Sequence, residues 1–227
     1  TKAMSSITKG MHNAFGIPLW TPAMPKAFKT NSQLSTPAPR QNKVVYFPSC
    51  INQTMGLPKK SPVEQALVSK MIALLQKGGY EVIFPKNMEK LCCGTIWESK
   101  GMLDIADRKT AELEAALWEA SEQGRYPVLC DQSPCLHRMR ERMKLYEPAE
   151  FIYTFLRDKL VFTPIDRPVA VHITCSMRKM GLADTIIALA CLCSTKVIVP
   201  EEVGCCGFAG DRGFTYPELN AYALRKL

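Results

Sequence analysis

Short apolar runs alternate along this chain with longer amphipathic stretches, and the alternation starts near residue 43. Residues 44–47 and 128–130 are apolar runs, and residues 81–84 are apolar after Glu81; all three stretches are typical of buried strands. Residues 61–77 and 102–123 carry apolar side chains at helical spacing, and the first of these stretches starts on Ser-Pro-Val-Glu, a capping-box sequence. Strands that alternate with helices predict an α/β fold with a parallel sheet.

The same order of elements returns in the last third of the chain. Residues 169–175 form a second apolar run that leads into a cysteine, and a helical stretch (181–192) and another strand (196–200) follow. This repetition predicts an internal duplication, with two similar parallel-sheet α/β halves related by a pseudo-twofold axis. The expected division is a linker arm at 1–43, a first half at 44–165 and a second half at 166–227.

A cysteine motif repeats together with these elements. The sequence Cys-Cys-Gly occurs at 92–94 and again at 205–207. Each copy follows a cysteine at the end of a predicted strand, Cys50 in the first half and Cys175 in the second. The second half has no counterpart of Cys135 before Leu227, so it is expected to be truncated at its C-terminus.

The pattern of cysteines indicates a metal cluster rather than a set of disulfides. Adjacent cysteines rarely bridge each other because the geometry is strained, and the chain shows no export signal. Loops at the carboxyl ends of parallel strands meet at one edge of a sheet, where several thiolates can converge. The candidate cofactor-binding cysteines are Cys50, Cys92, Cys93, Cys130, Cys135, Cys175, Cys205 and Cys206.

Not every cysteine is assigned as a metal ligand. All eight candidates except Cys130 are predicted ligands, since Cys130 ends an apolar strand and could equally be a core thiol. Cys191 and Cys193 lie in an apolar run and are predicted to be core residues. No catalytic residue is predicted.

The charge and hydropathy of the chain indicate which partners and which cellular location to expect. The net charge is +8, and residues 1–43 contain six basic and no acidic side chains. A basic arm could contact acidic lipid or nucleic acid, but five prolines and dispersed charges favour a solvated linker, and nucleic acid is not expected as a partner. No apolar run approaches the roughly 20 residues that span a bilayer. The expected location is the cytoplasm, with at most peripheral association with the inner face of the membrane.

The motifs resemble those of the CCG cysteine-rich domain, found in heterodisulfide reductases and in the iron–sulfur subunit of glycolate oxidase. The resemblance is strongest to the C-terminal part of FAD-linked D-lactate and D-2-hydroxyglutarate dehydrogenases. It covers about residues 43–227, and the segments that carry it are 46–50, 84–94, 130–135, 204–210 and 216–218.

The resemblance implies a [4Fe-4S] cluster, non-cubane in the reductase, that receives electrons from an FAD domain preceding this chain. The implied partners are upstream flavin and ferredoxin-like domains and a quinone, cytochrome or other acceptor. The chain would then be part of a larger oxidoreductase and inactive as a dehydrogenase by itself, since no dinucleotide-binding glycine motif follows a strand. Two alternatives stay open: a zinc-binding structural or docking domain, and a thiol–disulfide redox module.

Overall fold

The computed structural model describes residues 2–17, 19–20, 42–57, 61–208 and 212–226. Six strands lie in these ranges: β1 Asn42–Phe47, β2 Tyr80–Ile83, β3 Val128–Cys130, β4 Leu145–Tyr146, β5 Ile165–Ala170 and β6 Ser194–Ile198. The α-helices are α1 Lys2–Phe15, α2 Cys50–Thr54, α3 Leu67–Lys77, α4 Thr95–Glu98, α5 Leu103–Ala120, α6 Ser133–Met139, α7 Pro148–Phe151, α8 Cys175–Lys179, α9 Ala183–Cys193, α10 Arg212–Thr215 and α11 Pro217–Ala223. A 3-10 turn spans Met88–Lys90, and one π-helical segment spans Ile152–Leu156.

The first four strands form one parallel sheet in the order β2-β1-β3-β4. Side chains alternate between the two faces along β1, and each face has its own core. Val45 and Phe47 pack with residues of α5 and α6, whereas Val44 and Tyr46 pack with residues of α3 and the π-helical segment. This arrangement confirms the predicted α/β class.

The predicted helix of residues 61–77 begins six residues later than expected. Its first residue is Leu67, and Ala66 at the N-cap makes no side-chain capping bond. The Ser61 hydroxyl accepts from the backbone amide of Val63 at 3.1 Å. The capping-box prediction at this position is therefore wrong, because the serine closes a local turn upstream of the helix.

The second half contains a smaller, two-stranded parallel sheet of β5 and β6. Its core is a cluster around Val171, Ile173, Met177 and Leu182, and most residues of the two strands are exposed or half-buried. The strand predicted over residues 169–175 lies earlier in the chain, and Cys175 begins a helix. The duplication and the pseudo-twofold relation between the halves stay predictions.

Part of the segment predicted to be a linker arm is helical. Helix α1 places Met4, Ile7, Met11 and Phe15 along one face, and all four side chains are exposed. Residues 21–41 of the predicted arm lie outside the described ranges. Among the helices of those ranges, none is both long and apolar enough to cross a membrane.

Candidate metal centre

Two neighbouring strands carry cysteines to the same edge of the four-stranded sheet. Phe47 is the last residue of β1 and pairs with Cys130, the last residue of β3. After two intervening residues the chain turns into α2, whose first residue is Cys50. Because both strands are parallel, Cys50 and Cys130 leave the sheet at its carboxyl edge.

A buried carboxylate joins these two strand ends. Asp131 accepts the backbone amide of Ser49 at 2.8 Å and the hydroxyl of Tyr46 at 2.7 Å. Asp131 is only 8% exposed, so both bonds lie in a poorly solvated place. Burial, and next the charge of Asp131, raises the pKa of Tyr46, which keeps its proton and continues to donate.

The first Cys-Cys-Gly loop is fixed against helix α5. Gly94 has φ of 87°, and a Cβ at this position would collide with the carbonyl of Ala106 and lie 2.8 Å from the Thr110 hydroxyl. The Thr110 hydroxyl donates to the Cys93 carbonyl at 2.7 Å, and the Gly94 amide donates to the Cys92 sulfur at 3.4 Å. Glycine is therefore required here for both backbone conformation and space.

The Arg138 side chain on α6 also stabilises the position of the first Cys-Cys-Gly loop. The guanidinium of Arg138 donates to the Thr110 hydroxyl at 2.9 Å. The same side chain forms ion pairs with Glu98 at 2.7 Å and Asp107 at 2.8 Å, and it is only 10% exposed. Arg138 therefore links α4, α5 and α6 around the loop, which keeps the cysteines of different segments in register.

The thiols of the first half lie next to one another in one row. Neighbouring thiols interact in the order Cys50, Cys92, Cys93, Cys135 and Cys130, and each interaction shifts the pKa of at least one member of the pair. The row runs from the exposed Cys50 to Cys130, which is fully buried. We call these five side chains the thiol row.

Interactions along the thiol row shift the pKa values of its cysteines in different directions. The neighbouring Cys50 thiol, and next that of Cys93, lowers the pKa of Cys92. Interaction with Cys92, and next burial, raises the pKa of Cys50. The bond with Cys135 lowers the pKa of Cys93, but the Cys92 thiol and burial outweigh it and raise that pKa to about 11. Interaction with Cys130 and Cys93, and then burial, raises the pKa of Cys135. Cys92 is therefore the thiol that most readily becomes a thiolate.

The donor set fits a group that binds several thiolates. Five cysteines from three segments of the chain follow one another in the thiol row, and thiolate sulfur is a ligand that iron–sulfur clusters and zinc take in proteins. Directly before Cys50, the hydroxyl of Ser49 is buried and has no hydrogen-bond partner among the described residues. Within the same residues, no three or more His, Cys, Asp or Glu side chains surround one point that could hold a single ion. The ligand role of each cysteine stays a prediction.

The second Cys-Cys-Gly loop repeats the contacts of the first. Gly207 has φ of 71°, and a Cβ there would lie 2.5 Å from the carbonyl of Leu219 and 3.0 Å from Ala223. The Gly207 amide donates to the Cys205 sulfur at 3.3 Å, and Asn220 donates to the Cys206 carbonyl at 2.8 Å. The glycine of each motif therefore lies against the residues 12 and 16 positions further along the chain, on the helix that follows.

The three cysteines predicted as ligands in the second half are more exposed than most of the thiol row. Cys175, Cys205 and Cys206 are all exposed. Apart from the Gly207 amide, their sulfur atoms have no hydrogen-bonding partner in the described parts of the chain. The structure thus brings together the five candidates of the first half, but among the described residues it shows no such row of thiols in the second.

A cluster of hydroxyls joins the two halves beside the cysteines. Ser133 lies 2.8 Å from Ser176 and 3.0 Å from Thr174 between hydroxyl oxygens. Ser133 precedes Cys135 by two residues, and the other two flank Cys175. The cluster therefore places the start of α8 next to the start of α6, where the thiol row lies.

Sequence reasoning missed several residues of this site and misassigned two cysteines. Asp131 directly follows a strand-end cysteine, and a polar residue at that place is a signal that could have found it. Thr110 and Arg138 lie on helices with no motif around them, so no local signal marks them. Cys191 and Cys193 are exposed at the end of α9, so their prediction as core residues is wrong. An apolar run does not show which of its faces the fold covers.

Comparison with protein families supports the resemblance seen in the motifs. The family model of the CCG cysteine-rich domain matches residues 44–140 and 169–227, which is more than half of the chain. Domains of this family generally bind an iron–sulfur cluster or another metal and occur in redox enzymes. The comparison with curated proteins and the comparison with solved structures gave no match.

Proposed function

We propose that this chain, which belongs to the CCG cysteine-rich domain family, is the iron–sulfur electron-transfer domain of a larger FAD-linked 2-hydroxy acid dehydrogenase. The observation that carries the proposal is the thiol row, in which five cysteines from three segments of the chain neighbour one another at one sheet edge. Thiolates that reach one place from rigid supports are what a cluster requires.

In this proposal Cys50, Cys92, Cys93 and Cys135 hold a [4Fe-4S] cluster, in a cubane or non-cubane form. When bound, such a cluster takes up and passes on single electrons. The buried end of the thiol row, with Cys130, keeps water away from one side of the site. Cys92 supplies the first thiolate because its neighbours lower its pKa. Cys175, Cys205 and Cys206 are proposed ligands of a second site.

The rest of the proposed enzyme follows from the resemblance. FAD in an upstream domain would take electrons from D-lactate or D-2-hydroxyglutarate, and a ferredoxin-like domain would lie on the same polypeptide. A quinone, a cytochrome or another acceptor would receive the electrons. Contact with a membrane would be peripheral, and the exposed apolar face of α1 is the feature that supports it.

The test of the metal is a strictly anaerobic purification followed by iron, sulfide and zinc analysis and electron paramagnetic resonance. The proposal predicts iron and sulfide in equal amounts and a resonance signal on reduction. Stoichiometric zinc without iron would reject the iron–sulfur proposal and favour a zinc-binding structural or docking domain. Metal-free protein that exchanges disulfides would indicate a thiol–disulfide module.

The test of the enzyme context uses the chain alone and a longer protein that includes the upstream domains. Both are assayed with D-lactate and D-2-hydroxyglutarate, with a dye as electron acceptor. The proposal predicts turnover by the longer protein only, because electrons enter through the flavin. Turnover by the chain alone would overturn this part of the proposal.

A further inference from the structure

A cavity of about 540 Å³ opens at the end of the four-stranded sheet opposite the thiol row. Its walls include four aromatic side chains, Trp118, Tyr126, Tyr146 and Phe155. Val128, the first residue of β3, also lines it. A volume of this size lies in the range of small-molecule sites, which are mostly apolar with a few polar groups.

The charged residues of the cavity wall have one sign. Arg125, Arg142 and Lys144 line the cavity, and no acidic side chain of the described residues does. The carboxylate of Glu122 pairs with Arg125 at 3.0 Å, and Arg142 pairs with Asp107 at 3.5 Å and Glu114 at 4.0 Å. None of these three carboxylates is part of the wall. The cavity therefore offers aromatic faces together with positive charge.

Cations also lie over the aromatic rings at the cavity. Arg125 lies 5.5 Å and Lys43 lies 5.3 Å from the centre of the Tyr126 ring. Lys144 lies 5.7 Å from the centre of the Tyr146 ring. Cation–π contacts place positive charge beside an aromatic ring without neutralising it. The site therefore favours a ligand that is anionic and also has a ring that stacks on aromatic side chains.

The backbone beside the cavity is strained in a way that shapes its wall. Three consecutive residues have left-handed conformations: Glu122 with φ of 50°, Gln123 with 61° and Gly124 with 85°. A non-glycine residue in this region costs on the order of 1–3 kcal/mol, and such strain is concentrated at functional sites. A Cβ on Gly124 would lie 3.0 Å from the Trp118 ring, so the turn leaves room for that ring.

The strained turn is held by specific bonds and is not a loose loop. The Gln123 amide donates to the Trp118 carbonyl at 2.8 Å, and the Gly124 amide donates to the Ser121 hydroxyl at 3.0 Å. The Tyr126 amide donates to the Ser121 carbonyl at 3.0 Å. These bonds fix the backbone of the turn between Trp118 and Tyr126 before any ligand arrives, which reduces the entropy cost of binding.

We propose that this cavity binds a planar aromatic molecule that carries a negative charge, such as a phosphorylated aromatic ring system. The aromatic walls would stack on the ring, and Arg125, Arg142 and Lys144 would bind the anionic group. Val128 and Cys130 are two positions apart on β3, a distance of about 7 Å along a strand. The ligand would thus bind one short strand away from the thiol row. The proposal does not rest on the proposed function.

The contributions of the ring and of the negative charge are tested separately with flavin mononucleotide, riboflavin and inorganic phosphate. Flavin mononucleotide has both ring and charge, riboflavin lacks the phosphate, and phosphate lacks the ring. Binding is followed by quenching of flavin fluorescence, with phosphate added as a competitor. We expect saturable binding of flavin mononucleotide, roughly tenfold weaker binding of riboflavin, and competition by phosphate only at much higher concentration.

Variants locate the binding in the cavity. Trp118→Leu removes a half-exposed stacking face, and Lys144→Gln removes a cation from the wall. Each should weaken flavin mononucleotide binding by roughly fivefold or more. Lys77→Gln removes an exposed lysine on α3 that does not line the cavity, and this control should bind like the wild type. Circular dichroism confirms that each variant is folded.

Either of two binding results would overturn the proposal as a whole, and a third would reject its anionic part. One is the absence of saturable binding at millimolar flavin mononucleotide. The other is binding that Trp118→Leu and Lys144→Gln leave unchanged, since it would then occur elsewhere on the chain. Equal binding of riboflavin and flavin mononucleotide would likewise reject an anionic ligand.

Discussion

The backbone amide of Ser49 donates to the carboxylate of Asp131 at 2.8 Å, across a parallel strand pair. Ser49 precedes Cys50, and Asp131 follows Cys130, so one bond sets the spacing of both ends of the thiol row. The carboxylate accepts a second bond from Tyr46 at 2.7 Å. A buried charge is tolerated only when such partners are in place.

Replacing Tyr46 by phenylalanine should lower the free energy of unfolding by roughly 2 kcal/mol, because it leaves one oxygen of a buried carboxylate without its donor. Urea unfolding, followed by circular dichroism, measures the change. The control is Tyr222→Phe, at a side chain that is 69% exposed, which should cost less than about 0.5 kcal/mol. Equal losses in the free energy of unfolding for the two variants would mean that the hydrogen bond from Tyr46 to Asp131 does not stabilise the fold.

Replacing Gly94 by alanine should destabilise the first half far more than the same change at Gly101. Both glycines have left-handed conformations, with φ of 87° and 77°, so the backbone cost of about 1 kcal/mol is shared. A Cβ at Gly101 meets nothing within 4 Å, whereas one at Gly94 meets the Ala106 carbonyl. We expect a total cost of at least about 3 kcal/mol for Gly94→Ala, measured by urea unfolding. Similar costs at the two positions would show that the close approach of the loop to α5 is unimportant.

The carboxylate of Glu147 gives a prediction about pH. Burial raises the pKa of Glu147, although its bond from the Ala149 amide at 2.6 Å acts in the opposite direction. A raised pKa means that the folded protein holds this proton more tightly than the unfolded chain. The stabilising contribution is complete below the unfolded value of about 4.3 and is lost as pH rises through the folded pKa.

Glu147→Gln should therefore gain stability relative to the wild type as pH rises from about 4 to about 7, because glutamine keeps an acceptor oxygen and carries no charge. Urea unfolding of both proteins across this range measures the difference. Glu147→Ala distinguishes the effect of the charge from the effect of the helix cap. It loses the hydrogen bond from the Ala149 amide and should lower the free energy of unfolding by about 1 kcal/mol at the acidic end of the range. A stability difference between glutamate and glutamine that does not change with pH would contradict the raised pKa.

Local sequence signals predicted the elements that depend on local chemistry. Strand β3 and helix α5 lie within three residues of their predicted bounds, because an apolar run and apolar side chains at helical spacing determine them. The Ser-x-x-Glu pattern at Ser61 failed as a helix start. The structure instead has a capping box between Glu147 and Glu150, where glutamate takes the place of the usual serine.

Tertiary packing determined the features that the sequence did not predict. Strand β5 begins at Ile165, although Pro168 and charged neighbours interrupt its apolar pattern, and a two-stranded sheet tolerates such residues because each strand is an edge. The cysteine motifs identified the edge of the sheet where the thiols lie. The order of the thiol row depends on how α5 and α6 pack around Thr110 and Arg138, and no spacing rule gives that.

The thiol row as the site of a cluster is tested most directly by counting iron in single-cysteine variants. The wild type, Cys92→Ser, Cys135→Ser and the control Cys193→Ser are reconstituted without oxygen in iron and sulfide, and bound iron and the cluster absorbance are measured. Cys193 is exposed on α9 and lies outside the thiol row. The wild type and Cys193→Ser should bind equal amounts of iron, and each of the other two variants should bind about two to four iron atoms fewer, because only the first site is impaired. Wild-type iron in both Cys92→Ser and Cys135→Ser would contradict the assignment of the thiol row as the cluster site.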